Sequence, residues 1–218
     1  MNHAIVTAAG KGNRFGANKS LHLLKGKPIL AWSLRVFEES PEIAEVIVTF
    51  ASDDSAEAYE NICRNENFNK VRFVAGGDTR QDSVHNAFLS IKDNAGILLI
   101  HDAARPLLSR DLLLRVLDAT REHGAALPVL PIQETVKEIE GERVIRTLPR
   151  EKLFVAQTPQ GFRMELLAAA YDKIKDSNMT DESMLVERAG YGVHVVEGEH
   201  RNLKITERSD IKIAESYL

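Results

Sequence analysis

Short, almost wholly apolar runs alternate with segments of helical period along nearly the whole chain. The first run, Ala4–Ala8, predicts a strand that leads into a glycine-rich loop reaching Lys19. A helix is expected from Pro28, since proline suits the first helical position, with Ile29, Leu30, Leu34 and Phe37 on one face. Val46–Phe50 then reads as a strand, Asp54–Arg64 as a helix and Val71–Val74 as a strand. The loop from Gly76 to Asp82 opens a helix carrying Val84, Ala87, Phe88 and Ile91. Ile97–Ile100 is a short all-apolar run, the kind buried on both faces of a parallel sheet. Leu112–Arg121 predicts a helix and Ala125–Leu130 a strand. This rhythm implies an α/β fold: a Rossmann-like, mostly parallel sheet with helices on both faces.

One stretch departs from the rhythm. Thr135–Ile139 and Arg143–Thr147 are strand-like, and the turn Glu140-Gly141-Glu142 joins them into a hairpin. Its apolar content is thin, and a lone two-stranded hairpin is marginal in water. A β-arm at about 134–150, packed on a second subunit, is therefore expected. Beyond it the pattern predicts helices near Met164–Ile174 and Glu182–Ala189, strands near Val193–Val196 and Leu203–Thr206, and a closing helix to Leu218. No repeat or low-complexity linker interrupts the chain, so one domain over residues 1–218 is expected.

Composition narrows the function classes. A formal net charge of −4 lacks the basic excess of a nucleic-acid binder, although it leaves room for a local basic site. Cys63 is the single cysteine, so no internal disulfide can form, and its mixed polar and apolar surroundings suggest a half-buried small hydrophobe. No apolar run reaches membrane-spanning length and no secretory leader is evident, so a cytoplasmic protein with no membrane partner is expected.

Three loops carry the chemistry. The first reads Ala8-Ala9-Gly10-Lys11-Gly12-Asn13-Arg14-Phe15-Gly16, with Lys19 close behind. It lacks the Gly-Lys-Ser/Thr of a P-loop, and Phe15 stands where a dinucleotide fingerprint has its third glycine. What it offers is backbone open to close approach at Gly10 and Gly12, plus three cations. That suits a triphosphate; a glycine-rich turn with solvated Lys and Arg accounts for it equally well. The second is His101-Asp102-Ala103-Ala104-Arg105-Pro106. Asp102, following a buried strand, can hold a Mg²⁺ that bridges phosphates, or cap a turn, and Arg105 can grip a phosphate. His101 reads as structural. The third, Gly76-Gly77-Asp78-Thr79-Arg80-Gln81-Asp82-Ser83, admits a flat base against its glycines and also supplies a helix cap. All three follow strands, so the fold brings them to one sheet edge.

Together these residues become recognisable. AAGKGNRFG, GGDTRQDSV, HDAARP, ETVK, AQTPQGF, TDESMLVE and NLKIT occur in the order and at the spacing of one family, across essentially the whole chain. The chain resembles the 2-C-methyl-D-erythritol 4-phosphate cytidylyltransferases of the non-mevalonate isoprenoid pathway. The resemblance implies an enzyme moving CMP from CTP to a sugar-alcohol phosphate with Mg²⁺ or another divalent cation, as a homodimer. It implies transition-state charge stabilisation by Arg14, Lys19 and Lys204. CTP would be bound by Ala8, Ala9, Gly10, Lys11, Gly12 and Ala103, with Gly77, Asp78 and Ser83 reading cytosine. Asp102 would face the metal and, with Arg105 and Thr158, the acceptor. Thr135 and Arg150 would reach the acceptor of the neighbouring subunit.

Two departures stand out. Asn18-Lys19-Ser20 replaces the family's usual Pro-Lys-Gln, removing a fixed φ, and His200-Arg201 is a more basic pair than expected. Ribitol 5-phosphate cytidylyltransferases are the nearest alternative, but HDAARP and TDESMLVE favour methylerythritol phosphate. A nicotinamide oxidoreductase is disfavoured by the broken fingerprint, and a non-catalytic nucleotide-binding module by the retention of both Lys19 and Lys204.

Overall fold

The computed structural model describes residues 1–10, 15, 18–51, 56–93, 95–175 and 179–218. Lys11, Gly12, Asn13, Arg14 and Gly16 of the first loop lie outside the described residues, as does the expected start of the second helix at Asp54.

In chain order the elements are β1 (His3–Thr7), β2 (Leu23–Leu24), β3 (Lys27–Pro28), α1 (Ile29–Glu39), β4 (Glu45–Phe50), α2 (Ala56–Glu66), β5 (Val71–Ala75), α3 (Arg80–Leu89) and β6 (Ile97–Asp102). There follow α4 (Arg110–His123), β7 (Ala125–Pro131), β8 (Val136–Glu140), β9 (Arg143–Leu148), β10 (Phe154–Ala156), β11 (Gln160–Arg163), α5 (Met164–Lys173), α6 (Glu182–Arg188), β12 (His194–Glu197) and α7 (Ser209–Ser216). The expected α/β architecture is present.

β5, β4, β1 and β6 run parallel in that order. The chain lays β4 and then β5 to one side of β1 and returns with β6 on the other. The strand order therefore reverses between β1 and β6, where open α/β sheets bind ligands at the carboxyl ends. The register pairs Thr7 with Asp102, which puts the first and second loops side by side.

Side chains alternate as a sheet covered on both faces requires. Ala4, Val6 and Leu99 enter one core with Leu30, Leu34, Tyr59 and Leu113; Ile5, Leu98 and Ile100 enter the other with Val84, Phe88, Phe162 and Leu167. Helices α1, α2 and α4 thus cover one face, and α3, α5 and α6 the opposite one. Ser109 caps the start of α4 through its side chain, and Gly124, at φ +87°, ends it in a conformation that favours glycine.

The far half of the sheet differs from expectation. β11 is antiparallel to both β6 and β7, and β10 is antiparallel to β7. Neither strand was evident in the pattern. Val129 pairs with both Ala156 and Glu197, and Ala126 with both Gly161 and His194. β10 and β11 therefore share one side of β7, with β12 on the other. Paired residue numbers add to 285 along β10 and to 287 along β11, so two extra residues bulge out around Gln157–Pro159. The strand expected at Leu203–Thr206 is absent: that segment carries no ladder, and Ile205 N–H donates to the Ala104 carbonyl at 2.8 Å.

The hairpin forms as expected, with β8 paired to β9 alone and Gly141, at φ +57°, in its turn. Ile139, Val144 and Ile145 on it are exposed.

Candidate active site

The site grows from β6. Its last residue, Asp102, is buried and receives a hydrogen bond from Thr7 Oγ1 at 3.3 Å. Three cations face it. Lys204 Nζ lies 2.7 Å from Oδ2, Arg80 Nε lies 3.6 Å from Oδ1, and Arg105 Nε lies 4.0 Å from Oδ2. Burial by itself would raise the carboxyl pKa, but Lys204 first, then Arg80 and Arg105, hold it well below the usual carboxylate range. Asp102 is a fixed anion.

His101 points away from this chemistry. It is buried, and its Nε2 lies 3.1 Å from the Arg105 carbonyl, which can only accept, so Nε2 carries the proton. Nδ1 then accepts from Thr158 Oγ1 at 3.0 Å, and the same hydroxyl accepts from the Asp102 N–H at 3.1 Å. Burial pulls the imidazole pKa down to about 4, leaving the ring neutral. Thr158 thus fastens the 157–159 bulge to β6.

The segment around Lys204 is stitched to both sides. Arg105 Nη1 donates to the Asn202 carbonyl at 2.8 Å, and Asn202 Nδ2 donates to the Thr158 carbonyl at 2.8 Å. Lys19 Nζ donates to the Ile205 carbonyl at 2.6 Å, which brings the second of the two motif lysines beside Lys204. Arg105 is buried with Nη1 and Nη2 directed at the backbone carbonyls of Asn202 and Ala156. In this geometry it holds the loop that carries Lys204.

Asn18 occupies the position where the loop lacks proline. Its φ is −65°, its side chain accepts from Ser20 N–H, and its Nδ2 donates to the buried Tyr59 Oη at 2.7 Å. The restriction a ring would supply is replaced by two hydrogen bonds.

The third loop abuts the first. A Cβ on Gly76 would lie 2.7 Å from Ser83 Oγ and 2.8 Å from Ala9 Cβ, and one on Gly77 would lie 2.4 Å from Asp82 Cβ. Both positions are closed to larger residues. Ser83 Oγ accepts from Gly77 N–H and donates to the Thr79 carbonyl, so this buried hydroxyl shapes the loop, while Asp78 is exposed. Thr79 and Asp82 form a capping box on α3. Ala8 and Ala103 are buried beside each other's strand ends, and Gly10 is exposed.

Thr135 and Arg150 stand apart from this cluster, exposed at the two feet of the arm, with Arg150 Nη1 donating to the Gln133 carbonyl. Two residues of the cluster escaped the site reading of the sequence. Arg80 bridges Asp102 to the buried Glu182, 102 residues away. No local pattern marks that pair.

Among the described residues, no group of three or more His, Cys, Asp or Glu side chains could hold a metal ion. A Mg²⁺ that draws most of its oxygens from phosphates needs only one or two carboxylates, and the ionised Asp102 fits that part. Surrounded by three cations, it fits it only when an anionic ligand accompanies the ion.

The family model described as IspD, 2-C-methyl-D-erythritol 4-phosphate cytidylyltransferase, matches residues 2–218. A relative of that name from Geobacter metallireducens is 41% identical over 224 residues, covering 99% of this chain and 96% of its own. The crystal structure of the protein of that name from Thermus thermophilus is 34% identical with a TM-score of 0.80, over 98% of this chain and 96% of that one. The 4-diphosphocytidyl-2C-methyl-D-erythritol synthase of Anaerococcus prevotii superposes with a TM-score of 0.86 at 31% identity, covering 100% of this chain and 95% of that one.

Proposed function

This chain belongs to the 2-C-methyl-D-erythritol 4-phosphate cytidylyltransferase family, and from that premise we propose how its own residues carry the transfer. The reaction joins CMP, taken from CTP, to 2-C-methyl-D-erythritol 4-phosphate and releases pyrophosphate, a step in isoprenoid precursor synthesis. The match over residues 2–218 carries this reading. The meeting of Lys19, Lys204 and Asp102 at the sheet's switch point supports it.

An oxygen of the acceptor phosphate attacks the α-phosphorus of CTP in line. The new P–O bond forms as the bond to the β-phosphate's bridging oxygen breaks, and the electron pair leaves with pyrophosphate. A phosphate monoester has its second pKa near ~6, so the nucleophile is already ionised and needs no general base. A neutral His101 whose two nitrogens are both engaged accords with that economy. The protein's part is positioning and charge stabilisation. Lys19 and Lys204 face the charge that builds on the α-phosphate, together with Arg14, which lies outside the described residues. Asp102 would hold the Mg²⁺, which supplies charge neutralisation on the phosphates when bound.

Gly10 leaves room for the triphosphate, with Lys11 and Gly12 of the same loop beyond the described residues. The Gly76–Asp78 turn receives cytosine, with Ser83 fixing the turn from beneath. The arm would lend Thr135 and Arg150 to a partner's acceptor within a C₂ homodimer, and the exposed Ile139, Val144 and Ile145 provide apolar surface for that contact. A buried free Cys63 and a chain in which no described helix is long and apolar enough to cross a membrane suit a cytoplasmic enzyme.

The test is pyrophosphate release with each of four nucleoside triphosphates against methylerythritol phosphate and ribitol 5-phosphate, with Mg²⁺. The expected result is magnesium-dependent turnover that is fastest with CTP and methylerythritol phosphate. Faster turnover with ribitol 5-phosphate would overturn the acceptor, and no release with any pair would overturn the reaction.

A further inference from the structure

We propose that Arg80 is a positioning residue for this reaction, acting on Asp102, and that the buried carboxylate of Glu182 sets its place. The inference rests on the cytidylyltransferase reading and goes beyond it.

Arg80 is the first residue of α3, directly after the loop assigned to the base. Its Nη1 meets both oxygens of Glu182, at 3.0 and 2.8 Å, and its Nε faces Asp102 Oδ1 at 3.6 Å. Glu182 is only 1% exposed and opens α6. Its helix start is pinned from β11: Gln160 Nε2 donates to Asp181 Oδ2 at 2.9 Å, and Gln160 Oε1 accepts from Ser183 N–H at 3.2 Å. The guanidinium is thus braced against a rigid part of the fold.

Asp102 presents its two oxygens to different cations. Oδ2 faces Lys204, a flexible point charge whose side chain is 41% exposed, with Arg105 Nε farther off at 4.0 Å; Oδ1 faces the braced guanidinium of Arg80 and accepts from Thr7 Oγ1 at 3.3 Å. Lys204 can therefore turn to a bound phosphate while Arg80, acting with Thr7 Oγ1 on the same oxygen, helps keep the carboxylate from rotating about its Cβ–Cγ bond. Arg80 begins the helix that follows the base loop, and its side chain reaches from there to the carboxylate beside the reacting phosphates.

The experiment compares Arg80→Gln, Arg80→Lys, Glu182→Gln and the double variant Arg80→Gln/Glu182→Gln with the parent protein. It measures kcat, KM for CTP and for the acceptor, and melting temperature. Removing a group that orients a ligand side chain typically costs about 10–100-fold. Arg80→Gln is expected to lose that much kcat with KM for CTP changed by less than about threefold. Glu182→Gln is expected to fall less, and the double variant to be no worse than Arg80→Gln alone, since both act through one contact. Arg80→Lys keeps the charge without the fork and is expected to lie between. If the pair only joins α3 to α6, melting temperatures fall while kcat per folded molecule stays at the parent value, and the proposal is overturned. Should Glu182→Gln not fold, the kcat of Arg80→Lys, assayed well below its melting temperature, decides alone. A parent protein without CMP transfer is a separate result that refutes the reaction, whereas an active parent with unaffected variants refutes only the positioning role.

Discussion

Asn18 holds the backbone ahead of Lys19 at φ −65°, the angle a proline ring would impose, through its bonds to Ser20 N–H and Tyr59 Oη. Asn18→Ala is expected to lower kcat, because the side-chain bonds to Ser20 N–H and Tyr59 Oη go, while Asn18→Pro restores the angle and most of the rate; steady-state kinetics of the two variants check this. Equal rates in Asn18→Ala and the parent would leave the tether without effect on Lys19. His101 gives a second test. Its folded pKa, near 4, lies below the unfolded value of about 6.5, so the fold favours the neutral ring. That contribution is fully present above about pH 6.5 and is lost as pH falls toward 4. Between pH 7 and 4.5 the parent should lose roughly 2–3 kcal/mol more in urea unfolding than His101→Gln, which can keep both hydrogen bonds without titrating. Parallel losses would contradict it. Lys204 and Asp102 were legible in the sequence because they stand in two of the ordered motifs, and Lys19 because it closely follows the first. Arg80 and Glu182 sit inside two other motifs of the set, GGDTRQDSV and TDESMLVE, yet their pairing spans 102 residues and only the folded sheet brings them together.

At the scale of elements, β1, β4 and β6 were readable because each is built on a buried apolar run, Ala4–Val6, Val46–Val48 and Ile97–Ile100. β10 and β11 were not, since three and four residues interrupted by Gln157-Thr158-Pro159 carry no period to detect. Leu203–Thr206 failed in the opposite sense. Ile205 is buried while Lys204 is 41% exposed along the side chain, so the alternation is real, but it reports an extended loop with one covered side. Period two signals backbone extension, and pairing needs a neighbour. The bulge that interrupts β10 and β11 is what places Thr158 against β6. Thr158→Val is expected to cost about 1–3 kcal/mol, because it leaves the buried His101 Nδ1 and the Asp102 N–H unpaired. Urea unfolding at pH 7 measures it, and an unchanged midpoint would show that the bulge is held by other bonds.

At the scale of the whole molecule, the arm projects beyond the sheet with Ile139, Val144 and Ile145 exposed, and Phe154 and Val155 are exposed on β10, the strand that follows it. If two chains exchange arms, each site takes Lys204 from its own chain and Arg150 from its partner. Mixing inactive Arg150→Ala with inactive Lys204→Ala then creates heterodimers in which one site carries both defects and the other neither. After random reassortment roughly a quarter of all sites should recover. No recovery, with exchange verified by mass spectrometry, would sink the shared site. The central claim is that this one sheet edge joins two phosphates. Phosphorus NMR of the protein with CTP, Mg²⁺ and 2-C-methyl-D-erythritol 4-phosphate tests it most directly. The account predicts that the acceptor's monoester signal gives way to the coupled pair of an unsymmetrical diphosphate, with inorganic pyrophosphate in equal amount. Pyrophosphate appearing with CMP and an untouched monoester signal would contradict it.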